Sequence, residues 1–154
     1  MAITNEQIII DFSSPIDDIA YTLIVPKYDN NNRKIKTSII TRFAKRMAKQ
    51  FNGVTVHPTV LGCWTDNNNE LICEENVQIY SIRDTEQLPH MDKQALTVQD
   101  IEFMNELAQE VGKELGQASV LVSHARTEIT FVSGAYQPEL PANKVGTDFF
   151  SKLI

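Results

Sequence analysis

The sequence predicts an α+β domain in which two helices cover one face of an antiparallel sheet. Three observations predict it: two segments with helical apolar spacing, two β-rich runs joined by a polar turn, and further β-rich segments on either side of the helices. A chain of 154 residues fits one domain, residues 1–154, whose core needs neither disulfides nor a metal.

The first two elements are a strand and a basic helix. Residues 19–26, "IAYTLIVP", are rich in β-branched and aromatic side chains, and Pro26 ends the predicted strand. In residues 33–53, "RKIKTSIITRFAKRMAKQFNG", apolar residues recur at spacings of three and four. That spacing predicts a helix whose buried stripe contains Ile35, Ile39, Ile40, Phe43, Met47 and Phe51. Gly53 suits a left-handed C-terminal cap.

Residues 53–80 are predicted to form a hairpin in which the turn "TDNNNE" joins two strands. Alternation along the strands places valines on the core face. The helix-free face then carries polar residues: Thr55, His57, Thr59, Glu74, Asn76, Gln78 and Tyr80. Glu75 falls in phase with apolar residues instead. We expect either a surface position, reached through a bulge or at the strand end, or a partner such as Arg126 or His57.

The second helix is predicted at residues 97–116, with Thr97 as N-cap and Gly116 at its end. Its outer faces are assigned five acids: Asp100, Glu102, Glu106, Glu110 and Glu114. Strands follow at 119–123 and 128–132, with "HART" as the connection. The order is β-α-β-β-α-β with an extra C-terminal strand, which is the ferredoxin-like arrangement. The tail, residues 134–154, ends in apolar residues and is expected to dock on the domain or on a partner subunit.

The charge distribution is uneven. The net charge of −6 argues against general nucleic-acid binding. No acid occurs between Asp29 and Asp66, yet seven of the 14 basic residues lie there. Two explanations stay open. The basic first helix can pack beside the acidic second helix, or Lys45, Arg46 and Lys49 can form an anion site.

The expected location is the cytoplasm, or the host cytoplasm if the protein is phage-encoded. The first residues lack the pattern of a signal peptide, and no run approaches the roughly 20 apolar residues of a membrane span. The two cysteines, Cys63 and Cys73, are expected to be reduced. They come nearly opposite each other across the predicted turn, so a cross-strand disulfide or a metal contact is conceivable. Their commoner role is as small buried apolar residues, and no metal site is predicted.

Catalytic templates are absent from the sequence, and no cofactor is predicted. There is no nucleophile elbow, phosphate-binding glycine loop or His-Glu-x-x-His motif. "His57-Pro58-Thr59" matches the His-x-Thr pattern of two-histidine phosphodiesterases, but the required second copy is missing. Catalysis is therefore disfavoured. The remaining enzyme hypothesis uses His57 with Glu74 or Glu75 as acid and base.

Four short motifs resemble a family of small bacterial and phage proteins of unknown function. They are "FNGVTV" (51–56), "GCW" (62–64), "ICEENVQIY" (72–80) and "ELGQASVLV" (114–122), and the likeness spans residues 20–132. The resemblance implies a ferredoxin-like fold and no particular activity. A phage origin would also fit the asparagine-rich loops.

These observations favour a non-enzymatic, ferredoxin-like binding protein that forms a homo-oligomer through its sheet face and tail. The alternative is a binder of an anionic small molecule such as a nucleotide signal, because indole and guanidinium groups suit nucleotides. The candidate ligand-binding residues are His57, Trp64, Glu74, Glu75, Tyr80, Arg126, Lys45, Arg46 and Lys49.

Overall fold

Six elements form an antiparallel sheet with two helices. The structure is a computed structural model that describes residues 18–85, 88–127, 129 and 134. The elements are β1 (Asp18–Pro26), α1 (Thr37–Phe51), β2 (Thr55–Thr65), β3 (Leu71–Arg83), α2 (Lys93–Leu115) and β4 (Val122–Thr127). The strand order is β2-β3-β1-β4, and every pairing is antiparallel. An α+β, ferredoxin-like domain is thereby confirmed. The predicted extra strand at 128–132 and the tail, except for residues 129 and 134, lie outside the described residues.

The core lies between the helices and one face of the sheet. Alternate residues of β1 are buried, and Leu23 and Val25 pair in register with Ile79 and Val77 of β3. Both helices pack their apolar stripes against this face, with Phe43, Met47, Met104, Leu107 and Val111 all buried. Each such side chain contributes about 1.5–3 kcal/mol on burial, so this layer supplies a large apolar driving force.

The first helix is shorter than the apolar spacing predicts. It begins at Thr37, four residues later, because the Asp29 carboxylate accepts hydrogen bonds from the backbone N–H groups of Asn31 and Arg33 and holds a turn there. The backbone N–H of Arg33 is the main cause of the lowered pKa of Asp29. The left-handed cap is Asn52, with φ of 62°, and the prediction of Gly53 was wrong by one residue.

The second helix begins earlier than predicted. Asp92 is the N-cap, and its carboxylate accepts hydrogen bonds from the backbone N–H groups of Gln94 and Ala95. Thr97, the predicted cap, lies one turn inside the helix, where its hydroxyl donates to the carbonyl of Lys93. The predicted end is confirmed, since Gly116 has a φ of 64° and its N–H bonds to the carbonyl of Gly112.

The predicted "HART" connection was wrong, because these residues belong to β4. His124 pairs with Tyr21 and Arg126 with Ile19 along the edge of β1. The ladder of backbone hydrogen bonds therefore decides the conformation of a segment whose side chains have little strand preference of their own.

Candidate functional site: the helix-free sheet face and the hairpin arm

A β-bulge divides the β2–β3 hairpin into two parts with different faces. The pairing register shifts between His57 and Val60. Before the bulge, Thr55 and His57 lie on the helix-free face as predicted, opposite Tyr80 and Gln78. Beyond the bulge the predicted faces of β2 are exchanged, because the extra residue rotates the strand by one position.

Beyond the bulge the hairpin projects past the helices as an arm, here residues 61–75. The register places Leu61 and Leu71 on the helix side of the arm and Trp64 and Ile72 on the other side. All four are exposed, with relative exposures of 68%, 71%, 47% and 39% in that order. An arm with apolar side chains exposed on both faces is unusual for a protein that acts as an isolated monomer.

The turn at the tip is held by local hydrogen bonds. The carboxylate of Asp66 accepts from the backbone N–H groups of Asn68 and Glu70, and Asn69 adopts a left-handed conformation with φ of 64°. Asparagine tolerates that conformation and aspartate can close such turns, so the sequence "DNNNE" specifies the tip.

The two cysteines form a disulfide across the arm. Cys63 and Cys73 are directly opposed in the register, with their Cα atoms 4.0 Å apart. Both are exposed, so the expectations of buried and reduced cysteines were wrong. The bridge links the two strands of the arm where no helix covers them.

Gly62 lies next to Cys63 in β2, and packing explains why this position holds a glycine. A Cβ at this position would lie 2.9 Å from the side-chain nitrogen of Asn76, which is buried and donates to the carbonyl of Glu74. The glycine therefore leaves room for a buried amide at the base of the arm.

The two glutamates do not meet the histidine. Glu75 pairs with Leu61 and is exposed where the arm leaves the helices. Of the two expectations for Glu75, the structure therefore shows the surface position, and the bulge lies in the neighbouring strand β2. Glu74 is exposed on the other face and pairs with Gly62. Because Gln78, opposite His57, is four residues from Glu74, about 13 Å of strand separates the histidine from that glutamate. The arrangement offers no direct acid–base pair.

The helix-free face carries a ring pair, and a cleft lies beside it at the connection between α1 and β2. The imidazole of His57 stacks on the ring of Tyr80, with centroids 5.7 Å apart. A cleft of about 220 Å³ opens where β2 begins at Thr55 while β3 continues to Arg83. Its lining includes Thr55, Tyr80 and Asp84, and the hydroxyl of Ser81 closes its floor by donating to the carbonyl of Gly53.

The basic residues of α1 divide into paired and exposed groups. Arg42 and Arg46 form ion pairs with Glu114 and Glu110 of α2, which is the packing that the charge pattern predicts. Lys45 and Lys49 are exposed, and within the described part of the chain neither forms an ion pair.

The candidate anion-binding residues are not brought together. Arg126 lies on β4 and Trp64 on β2, at opposite edges of the sheet. Three interstrand spacings separate those edges, or roughly 14 Å. The basic helix lies on the face that carries the core, so it is separated from the helix-free face by the sheet.

Sequence reasoning missed a buried ion pair. Asp100, predicted on an outer face, is fully buried and accepts hydrogen bonds from Nε and an Nη of Arg83 at 2.9 and 2.8 Å. The side-chain amide of Gln50 donates to the same carboxylate at 3.0 Å, and the backbone carbonyl of Gln50 accepts a hydrogen bond from Arg83. The helical spacing of the sequence contained a signal for this, because Asp100 lies four residues before Met104 and seven before Leu107 and so falls on the same buried stripe.

The side chain of Tyr21 lies near this ion pair, and the environment of its hydroxyl group is unusual. Its ring stacks on Phe51 with centroids 4.8 Å apart, and the guanidinium of Arg83 lies 5.0 Å from the centroid of Phe51. The hydroxyl is buried and has no hydrogen-bond partner among the described residues. Burial, and to a lesser extent the carboxylate of Asp100, raises the pKa of Tyr21 to about 12.

The described part of the chain contains neither a cluster of metal-binding side chains nor a membrane-spanning helix. Among the residues described, no group of three or more His, Cys, Asp or Glu side chains could hold a metal ion. In the same part of the chain, no helix combines the length and apolarity needed to cross a bilayer.

Comparison with known proteins identifies similar folds and no family. Neither a protein-family model nor a curated protein matches the chain. Among solved structures, a phage SAM lyase in complex with S-methyl-5'-thioadenosine is similar, with 16% identity and a TM-score of 0.50, over 73% of this chain and 83% of that one. The periplasmic divalent cation tolerance protein CutA from Archaeoglobus fulgidus aligns with 9% identity and a TM-score of 0.44, over 74% and 87%. At these identities the likeness to the lyase concerns the fold alone.

Proposed function

We propose that the protein is a homo-oligomeric, ferredoxin-like binding protein without catalytic activity of its own, whose copies associate through the arm and the helix-free face of the sheet. One observation carries the proposal: the arm exposes leucines on one side and Trp64 with Ile72 on the other. Complete burial of such a side chain contributes about 1.5–3 kcal/mol, and association would recover the part that corresponds to the area still exposed. The tail, residues 134–154, would add to the same interface, and a cytoplasmic, phage-encoded protein remains our proposal for its origin.

The test is the molar mass of the full chain by light scattering during size exclusion. We expect a multiple of the monomer mass, and a smaller mass for Leu61→Ser/Leu71→Ser. The matched controls are Leu121→Ser and Val98→Ser, because these residues are also exposed, at 60% and 51%, but lie outside the arm. A chain ending at Gly134 measures the contribution of the tail. A monomeric full chain, or equal loss of mass in the controls, would contradict the proposal.

A second candidate function is the binding of a nucleoside in the cleft beside Tyr80. A hydroxyl and a carboxylate, from Thr55 and Asp84, suit ribose hydroxyl groups, and the Tyr80 ring suits a base. The similar phage SAM lyase was solved with S-methyl-5'-thioadenosine, a nucleoside without phosphate. No Lys or Arg is among the residues that line the cleft in the described part of the chain. An uncharged or cationic nucleoside therefore fits better than the anionic ligand that the basic helix suggested.

Calorimetric titration with S-methyl-5'-thioadenosine, SAM and adenosine monophosphate tests this candidate. We expect the first two to bind more tightly than the monophosphate, and Thr55→Val and Tyr80→Leu to weaken that binding. Tyr28→Leu is the control, because Tyr28 is 37% exposed and does not line the cleft. Absence of binding heat for the wild-type chain, or tighter binding of the monophosphate, would exclude the candidate.

A further inference from the structure

The arm is acidic as well as apolar. Between Lys49 and Arg83 the chain contains no Lys or Arg, while Asp66, Glu70, Glu74 and Glu75 contribute four carboxylates. Asp66 is used in closing the turn, and the three glutamates are exposed. The arm therefore presents negative charge beside exposed apolar side chains.

The outer surface of α1 has the opposite character. The pairing of Arg42 and Arg46 with α2 leaves Lys45 and Lys49 exposed, one helical turn apart. Their ammonium groups form a positive surface on the side of the helix away from the core.

The two surfaces of one chain cannot meet. Lys49 lies in the last turn of α1, six residues before β2 begins at Thr55, and β2 then runs away from it toward the arm. Glu74 pairs with Gly62, seven residues along β2 from Thr55, which corresponds to about 24 Å at the usual strand rise. Complementary surfaces at that distance can be joined only between two copies.

We propose that the acidic arm of one copy docks on the Lys45–Lys49 surface of α1 of a second copy. Glu74 brings its carboxylate to the ammonium groups, and Trp64, on the same side of the arm, brings an indole face that also attracts cations. Glu75, on the opposite side of the arm, adds to its negative field. The contact is heterologous, since arm meets helix, and it gives the oligomer its register and its salt dependence. This inference rests on the proposed homo-oligomer and adds to its interface a contact between the arm and α1, beside the contact proposed for the helix-free face.

Charge reversal tests the contact, whatever the number of subunits. We expect Glu74→Lys/Glu75→Lys and Lys45→Glu/Lys49→Glu each to weaken association by more than about tenfold, because each places like charges together. The chain that carries all four substitutions restores the pairing of opposite charges with reversed polarity. It loses only the attraction of the Trp64 ring for the ammonium groups and should associate within a few-fold of the wild type. The control Glu102→Lys/Glu106→Lys changes the net charge equally on exposed residues of α2 and should leave association unchanged.

The outcomes separate the two proposals. If the wild type associates and the reversed variants associate equally well, the arm-to-helix contact is wrong and the oligomer stands. If both reversals dissociate the protein and the combined variant does not recover, the contact is also wrong, because the charges then act independently. If the wild type is monomeric, the proposed function itself fails. Circular dichroism and urea unfolding of each variant verify that the fold is retained.

Discussion

Replacement of Asp100 by alanine should destabilise the domain by about 3–5 kcal/mol, because it leaves a guanidinium buried without its carboxylate. The carboxylate is fully buried and accepts three hydrogen bonds, two from Arg83 and one from Gln50. The Arg83 side chain is only 10% exposed, so water cannot replace the missing partner without rearrangement. A loss of this size is a large share of the 5–15 kcal/mol that stabilises a typical domain.

Urea unfolding monitored by circular dichroism measures this loss, and an exposed ion pair supplies the control. Glu114→Ala removes the partner of Arg42, whose side chain is 52% exposed, and should cost less than about 1 kcal/mol. Replacing both buried partners, Arg83→Met with Asp100→Leu, should cost less than Asp100→Ala alone, because no buried charge is left unpaired. If Asp100→Ala is no more destabilising than Glu114→Ala, the buried guanidinium does not depend on the carboxylate in this way.

Three further predictions concern the core and the arm. Tyr21→Phe should leave stability at neutral pH unchanged or raise it by about 1–2 kcal/mol, because the buried hydroxyl has no partner among the described residues. Burial raises the pKa of Tyr21 from 10.0 to about 12, so the folded state keeps the phenol proton to a higher pH than the unfolded state does. Stability therefore falls as pH rises from about 10 to 12. That part of the fall should be absent in Tyr21→Phe, and an identical pH profile for both proteins would refute it. Cys63→Ser/Cys73→Ser opens a bridge between residues separated by 10 positions and should lower stability by roughly 2–3 kcal/mol in the chain-entropy treatment. Urea midpoints of the wild type with and without reductant measure this loss of stability. If reductant also lowers the midpoint of the serine variant, its effect does not come from the disulfide. Gly62→Ala should cost about 1–3 kcal/mol by displacing the buried amide of Asn76, whereas Gly53→Ala, where a Cβ meets nothing within 4 Å, should cost less. Equal thermal midpoints for the two alanine variants would contradict this explanation of Gly62.

The elements of the fold were predictable because their signals are local. The buried stripe of α1 from Ile40 to Phe51 follows the spacing of a helix, and the strands of the hairpin follow from β-rich runs on either side of "DNNNE". Boundaries were less predictable where a single carboxylate decides them, as Asp92 does for α2 and Asp29 for the turn before α1.

Most of the candidate site depends on long-range geometry that a single sequence does not contain. The bulge after His57 exchanges the faces of β2, so alternation predicted the face of His57 correctly and that of Val60 incorrectly. Asp100 was assigned to an outer face of α2 because it is charged, and the sequence does not show that its partner Arg83 comes from a distant strand. The disulfide required the exact opposition of Cys63 and Cys73, which depends on the same register.

Association between copies of the chain is measured by sedimentation equilibrium of the full chain over a range of concentrations. We expect a multiple of the monomer mass at micromolar concentration, falling toward the monomer on dilution and with added salt. A monomer mass at every concentration, at low salt, would contradict it.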